Sequence, residues 1–345
     1  MTVSGYSYLS LLCLDRFKGE RSFSAIFHLL RGKKTSQTLQ DIQLFSLSNF
    51  FSLFPQISRE TVEEACKHLE SQNYIDREGK LTAEGGNVLS SLKKDMPMPL
   101  HLDSWKHGKE ARKAWEKLSL LVQTATHFAD GKNRFLPVTS NEEAQKWVKG
   151  CLKQAEWSRS GLAQNVFRDL HKFLSDQPDW MSELFVFRLT SPGRAGLTYL
   201  QLEERLDRDA VYLEVCFWSM MHQLLEQSAE YEFSVLSNLK NGNTDSLPLT
   251  QSARQTYRLL MQGMDRESAG KVRNLKQSTI EDHIVEIAMH DHRFDFSPYF
   301  LPEEKEEIIQ AIHVLQTRQL KKIKEYLDHK YTYFQIRLGM AAARR

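Results

Sequence analysis

At 345 residues, 41% hydrophobic and 26% charged, the chain has the composition of a soluble globular protein and the length for two or three domains. A net charge of +2 argues against binding nucleic acid through bulk positive charge and leaves only local basic surfaces. Cys13, Cys66, Cys151 and Cys216 lie far apart with no Cys-x-x-Cys spacing, which excludes a zinc ribbon and fits free thiols in a reducing compartment.

Asp15, Arg16 and Lys18 interrupt the apolar start, so no secretory leader is expected. Val215 to Leu225 is the longest apolar run, but Ser219, His222 and Gln223 interrupt it, and it is too short to span a bilayer. A cytoplasmic location and no membrane contact are expected.

The first segment, 1–96, reads as one domain. Phe23, Ile26, Phe27 and Leu30 form a helical stripe that Gly32 ends. Thr38 and Asp41 resemble a capping box ahead of an apolar helix through Leu44, Leu47, Phe50 and Phe51. Ser58 opens a third helix, with Val62, Ala65, Cys66 and Leu69 inward. Tyr74 to Thr82 reads as two short strands turning at Glu78-Gly79, after which Thr82 caps another helix. This order of elements resembles a winged-helix domain.

Met96-Pro97-Met98-Pro99 marks a linker. The region 100–245 reads as helical, with helices near 109–129, 142–156, 159–175, 198–208, 210–228 and 230–240. Breaks are expected at Ser191-Pro192-Gly193 and Asn241-Gly242-Asn243.

The last segment, 249–345, carries the clearest pattern. Thr250 is placed to cap a helix whose stripe is Ala253, Tyr257, Leu260 and Met261, and Gly263 ends it. Asp265 caps a short helix that carries Ala269 and Val272 inward and stops at Asn274, a residue that tolerates the left-handed turn. Leu275 is placed to plug the gap, and Gln277 or Ser278 opens a helix with the stripe Ile280, Ile284, Ile287 and Ala288. This is a helix-turn-helix, whose second helix often enters the DNA major groove. Pro302 then starts a helix rich in Glu at its N-terminus, a break is expected near Gln316-Thr317, and a short helix closes the chain from Tyr331 to Met340.

Phosphate contacts need Lys or Arg facing the duplex. The second helix instead offers Glu281, Asp282 and Glu286, expected on its outer side, and between Gln277 and Ile287 it has no Lys or Arg. Lys276, Gln277, Ser278, Thr279 and His283 are the residues favourable to DNA, while the carboxylates suit protein docking. Arg31, Lys33 and Lys34 form a second candidate phosphate grip, or else a solvated loop whose cations suit a helix C-terminus. Lys321, Lys322, Lys324, Arg337, Arg344 and Arg345 make the C-terminus basic, with a solvated helix face as the alternative.

No catalytic constellation stands out. Gly263 to Lys271 is not a P-loop, since the glycine spacing is wrong and Val272 stands where a Ser or Thr would hold magnesium. His283, His290, Asp291 and His292 cluster in sequence and leave a metal site open, with a surface histidine cluster as the bland reading.

Arg273-Asn274-Leu275-Lys276-Gln277-Ser278-Thr279-Ile280-Glu281-Asp282-His283-Ile284 resembles the helix-turn-helix at the C-terminal end of some RecQ-type helicases, and Tyr331 to Arg337 resembles the end of that domain. Together with Arg31 to Thr38, these segments make the chain similar to the YpbB proteins of bacilli. That resemblance implies a stand-alone protein encoded beside a RecQ-like helicase. One departure is Ser268, where the family usually has an aliphatic residue; Gly270 follows and weakens a helix by about 1 kcal/mol, so a loosely held positioning helix is expected.

The expected fold is therefore mostly α: a winged-helix-like domain (1–96), a helical domain (100–245) and a helix-turn-helix domain (249–345). The expected function is a non-enzymatic adaptor, without cofactor or metal, acting with a RecQ-type helicase in recombination or repair. The alternative is a transcription regulator that binds double-stranded DNA. DNA contacts are expected at Arg31, Lys33, Lys34, Lys276, Gln277, Ser278, Thr279 and His283, and protein docking at Glu281, Asp282 and Glu286.

Overall fold

The computed structural model describes residues 3–153, 159–228, 235–239 and 247–344. Among these residues the fold is mostly α, with 17 α-helices and no β-strand. The helix expected at 230–240 and the break at 241–243 fall outside the described residues, apart from a 3-10 turn at Leu236–Asn238.

Most of the buried apolar side chains form one cluster from Tyr8 to Ala341, so the N-terminal, middle and C-terminal modules share a core. The N-terminal module contains α1 (Gly5–Phe17), α2 (Phe23–Arg31), α3 (Ser36–Leu44), α4 (Arg59–Ser71) and α5 (Ala83–Asp95). The caps expected at Gly32, Ser58 and Thr82 form: Gly32 is left-handed, and the two hydroxyls accept from Thr61 N and Gly85 N. Sequence reading missed α1. It is buried nearly all round, so it shows no amphipathic stripe, and it packs against α4, α5 and α11.

Two local expectations change. The cap of α3 is Thr35, not Thr38, and the helix ends at Leu44. Asp41 is not free to complete a capping box, because Arg21 and Gln37 hold it at 2.8 and 2.9 Å. The apolar run beyond Leu44 continues as irregular chain with a 3-10 turn at Ser48–Phe50, and it buries Phe45, Leu47, Phe50 and Phe51. The expected pair of strands is reduced to one antiparallel bridge, Ile75 to Leu81. The Asp76 carboxylate accepts from Glu78 N and Lys80 N, which tightens the tip into a turn too short for strands.

The middle module contains α6 (Ser104–Ala129), α7 (Glu142–Lys153), α8 (Arg159–Leu174), α9 (Asp179–Arg188), α10 (Tyr199–Leu206) and α11 (Ala210–Gln227). The short α9 was not expected; it supplies Leu184 and Phe185 to a core shared with Trp115 and Phe217. The 26 residues of α6 give a rod of about 39 Å that packs on α8 and α11. The Pro-rich linker is pinned between modules: Tyr8 Oη donates to Met96 O at 2.9 Å, and Tyr212 Oη to Pro97 O at 3.0 Å. Gly5 makes the close approach of α1 to α11 possible. Its amide donates to Asp209 Oδ2 at 2.9 Å, and a Cβ there would lie 2.1 Å from Asp209 Oδ1.

The C-terminal module contains α12 (Gln251–Met261), α13 (Arg266–Arg273), α14 (Gln277–His290), α15 (Pro302–Leu315), α16 (Leu320–Tyr326) and α17 (Tyr333–Ala342). The expected break falls at Gln316, whose backbone is left-handed. At the centre stands α14, which packs against α12, α13 and α17 of its own module and against α3 of the N-terminal one. No helix among the described residues is long and apolar enough to cross a membrane.

Candidate nucleic-acid and docking interface around α14

Local chemistry builds the three-helix unit largely as expected. Thr250 Oγ1 accepts from Ala253 N, Asp265 Oδ1 accepts from Ser268 N, and Asn274 takes the left-handed turn at φ 49°. The inner side of α14 is dry, with Ile280, Ile284, Ile287 and Ala288 packed inward.

The hold on α13 differs from the reading. Val272 points out, 62% exposed, as does Met261 of α12, so apolar contact comes from Ala269 alone. What fixes α13 is Arg273. Its guanidinium donates to Ser252 O at 2.6 Å, Thr256 Oγ1 at 2.7 Å and Gln255 Oε1 at 2.8 Å, all on α12. Charge-assisted bonds of this kind are the stronger class, so α13 is tied despite Ser268 and Gly270.

Each acidic residue assigned to docking is engaged inside the molecule. Glu281 pairs with Arg266 at 3.4 Å. Asp282 Oδ1 accepts from Arg337 Nη1 at 2.6 Å and from Ser36 Oγ at 2.8 Å, and Arg337 Nη2 donates to Ser36 Oγ at 2.6 Å. Glu286 is not outward at all. It is 6% exposed, and its carboxylate accepts from the backbone N–H and hydroxyl of Thr250, sealing the start of α12. Burial raises its pKa, and the Thr250 bonds oppose that shift.

His283 is nearly buried. It is 8% exposed, with Nδ1 2.8 Å from Thr256 Oγ1 of α12, and it also lines the space between α14 and α3. Burial first, and Arg273 second, lower its pKa. The histidines do not converge. His290 stacks on Trp105 with ring centroids 5.5 Å apart, Asp291 accepts from Tyr257 Oη, and His292 is exposed. Among the described residues no group of three His, Cys, Asp or Glu is placed to hold a metal.

The remaining DNA candidates lie at edges. Lys276 and Ser278 are exposed, and Gln277 and Thr279 are half-buried at the start of α14. Arg31, Lys33 and Lys34 are exposed at the end of α2 and beyond it. The fold brings these two distant segments together. Lys34 and Thr279 line the same open cleft of about 340 Å³ between α3 and α14.

Sequence reasoning missed the groups that close this cleft. Arg337 was read as part of a basic tail, yet its side chain is only 14% exposed. Ser36, Gln43 and Trp105 were given no part in a site, and Gln43 Nε2 lies 3.2 Å from His290 Nε2. Ser36 is 246 positions from Asp282 and 301 from Arg337, so no local pattern links them. Elsewhere in the basic tail, Lys321 faces solvent beside Glu325, Lys324 stacks on Tyr333, and Arg344 donates to Gln43. Arg345 lies outside the described residues.

Residues 252–340 match a family described as a helix-turn-helix domain, which fits the geometry of α12 to α14 and suggests DNA binding. No solved structure matches the chain. Protein YpbB of Bacillus subtilis (strain 168) is 32% identical over 345 residues, covering 99% of this chain and 98% of that protein. With similarity running the length of both proteins, the chain belongs to the YpbB family.

Proposed function

We propose that this protein is a non-enzymatic adaptor that acts with a RecQ-type DNA helicase in recombination or repair. The observation that carries this reading is the placement of α14. The second helix of the helix-turn-helix is covered on its outer side by α3, and its carboxylates are used within the chain. A helix in that position serves as a joint between modules rather than as a probe for the major groove.

DNA contact then falls to Lys34 and Thr279, which line one cleft, and to Lys276 to Ser278 just before Thr279 in the chain, and protein contact to the surrounding helical surface. The resemblance of Arg273 to Ile284 to a RecQ-type helicase module supports the choice of partner. A mostly helical fold carrying a helix-turn-helix is consistent with a non-enzyme. The transcription-regulator reading needs the outer side of α14 to reach base edges, and the covering by α3 counts against it.

The test is co-elution of the full chain with the organism's RecQ-type helicase, with and without forked DNA. Association in either condition is expected. If the two never associate, the adaptor reading fails.

A further inference from the structure

We propose that the cleft between α3 and α14 receives one unpaired base of single-stranded DNA, with Lys34 and Lys276 holding the flanking phosphates. This deepens the DNA-contact part of the function proposed above and rests on it.

Size comes first. About 340 Å³ lies at the small end of the range of about 300–1,000 Å³ that holds single small-molecule-sized groups. A duplex does not enter such a space, and neither does a partner helix. A single flat ring does.

The lining suits a ring. Leu39 and Met289 give apolar contact, and the His290 imidazole lies beside them. Trp105 backs that imidazole, nearly parallel at 13°. Burial pushes the His290 pKa down to about 4, so the ring is neutral at pH 7 and offers a flat uncharged surface. Bases stack on such surfaces whatever their sequence.

The polar groups are also of the right kind. Gln40 and Thr279 bring an amide and a hydroxyl, which match the mixed donors and acceptors of a base edge. The carboxylates in the lining are already engaged: Asp282 by the Arg337 cation, and Glu286 by the backbone N–H and hydroxyl of Thr250. Lys34 stands at one rim. Lys276, exposed, is the residue just ahead of α14, three before Thr279 of the lining. A base in the cleft thus has Lys34 in the lining, and Lys276 close in sequence to Thr279, as the cations for its neighbouring phosphates.

A free nucleotide shares this chemistry, so three probes are needed with the full-length protein: a short oligothymidylate, a duplex of the same length, and thymidine monophosphate. The oligothymidylate is expected to bind most tightly. Leu39→Trp, which fills the cleft without changing charge, should weaken that binding about tenfold and spare duplex binding. Lys34→Ala and Lys276→Ala, both at exposed positions, should each reduce the salt slope for the single strand by about 0.7.

The inference is overturned if the duplex binds as tightly as the single strand. It is also overturned if the monophosphate does so, which would make the cleft a nucleotide pocket. Unchanged oligothymidylate binding in Lys34→Ala, a variant that removes no buried group, sinks it even where Leu39→Trp fails to fold. Loss of helicase association in Leu39→Trp with oligothymidylate binding intact would reassign the cleft to a peptide. Failure of helicase co-elution alone removes the adaptor reading and leaves the cleft standing.

Discussion

The two sides of α14 are built on different principles. Toward the helices of its own module it presents Ile280, Ile284 and Ile287, all fully buried, Ile287 beside Leu249 and Ala253, with Thr256 and His283 satisfying each other. Toward α3 it presents Thr279, Asp282, Met289 and His290 across an unfilled cleft, joined by a few polar bridges. The inner side holds the module together by excluded water. The outer side fixes one arrangement of two modules and leaves room for a ligand. A helix-turn-helix pattern in sequence does not distinguish these cases, because it reports the inner side only.

The largest expected effect is on the inner side. Ile284→Ala should cost about 2–5 kcal/mol in chemical denaturation, since the side chain is fully buried and its neighbours cannot collapse around the gap. A cost well below that range would mean that the two sides are less different than the packing indicates.

Acid should act on the outer side. The folded His290 ring stays neutral down to a pKa of about 4, while the unfolded ring takes its proton near 6.5. Between those values the unfolded state binds more protons. Stability from this group is therefore complete above about pH 6.5 and is lost as the pH falls toward 4, by up to about 1.4 kcal/mol per pH unit. His222 in the middle module, with its pKa pushed down to about 3, adds a loss of the same sign reaching further into acid. His290→Phe should shallow the profile between pH 6.5 and 4 relative to the parent chain. An unchanged profile would show that the outer side does not sense acid.

Arg337→Met keeps most of the stem but removes the bridge to Asp282 and Ser36. A loss of about 1–3 kcal/mol is expected, with faster amide exchange at the start of α3 and along the outer side of α14. If exchange quickens instead along α12, the bridge supports the inner side. Val272→Ala should be the smallest change, within about 0.5 kcal/mol, because that side chain meets solvent. A cost above that would restore the inward orientation read from the sequence.

What was legible in the sequence was local. Ser58, Thr82, Thr250, Asp265 and Asn274 mark helix ends through bonds within a few residues, and all five act where they were placed. The stripe of α14 was readable for the same reason. α1 escaped because a helix buried on every side has no contrast to read, and α9 because it is short and its apolar residues follow no clear period. The side-chain assignments that changed, Met261, Val272, His283 and Glu286, depended on which neighbours stand around each helix. That is settled by contacts between segments far apart in the chain, and periodicity carries no record of them.

The Arg337 bridge also has an order in time. A chain is synthesised from its N-terminus, so α3 is made long before the residue that ties it to α14. Until α17 emerges, Ser36 and Asp282 lack Arg337, and the two walls of the cleft are not clamped by it. Closing contacts across 246 and 301 positions is slow compared with forming any single helix. The protein acquires its joint last, and a chain cut short after Lys330 would have all the helices of the helix-turn-helix but no Arg337 to clamp them to the N-terminal module.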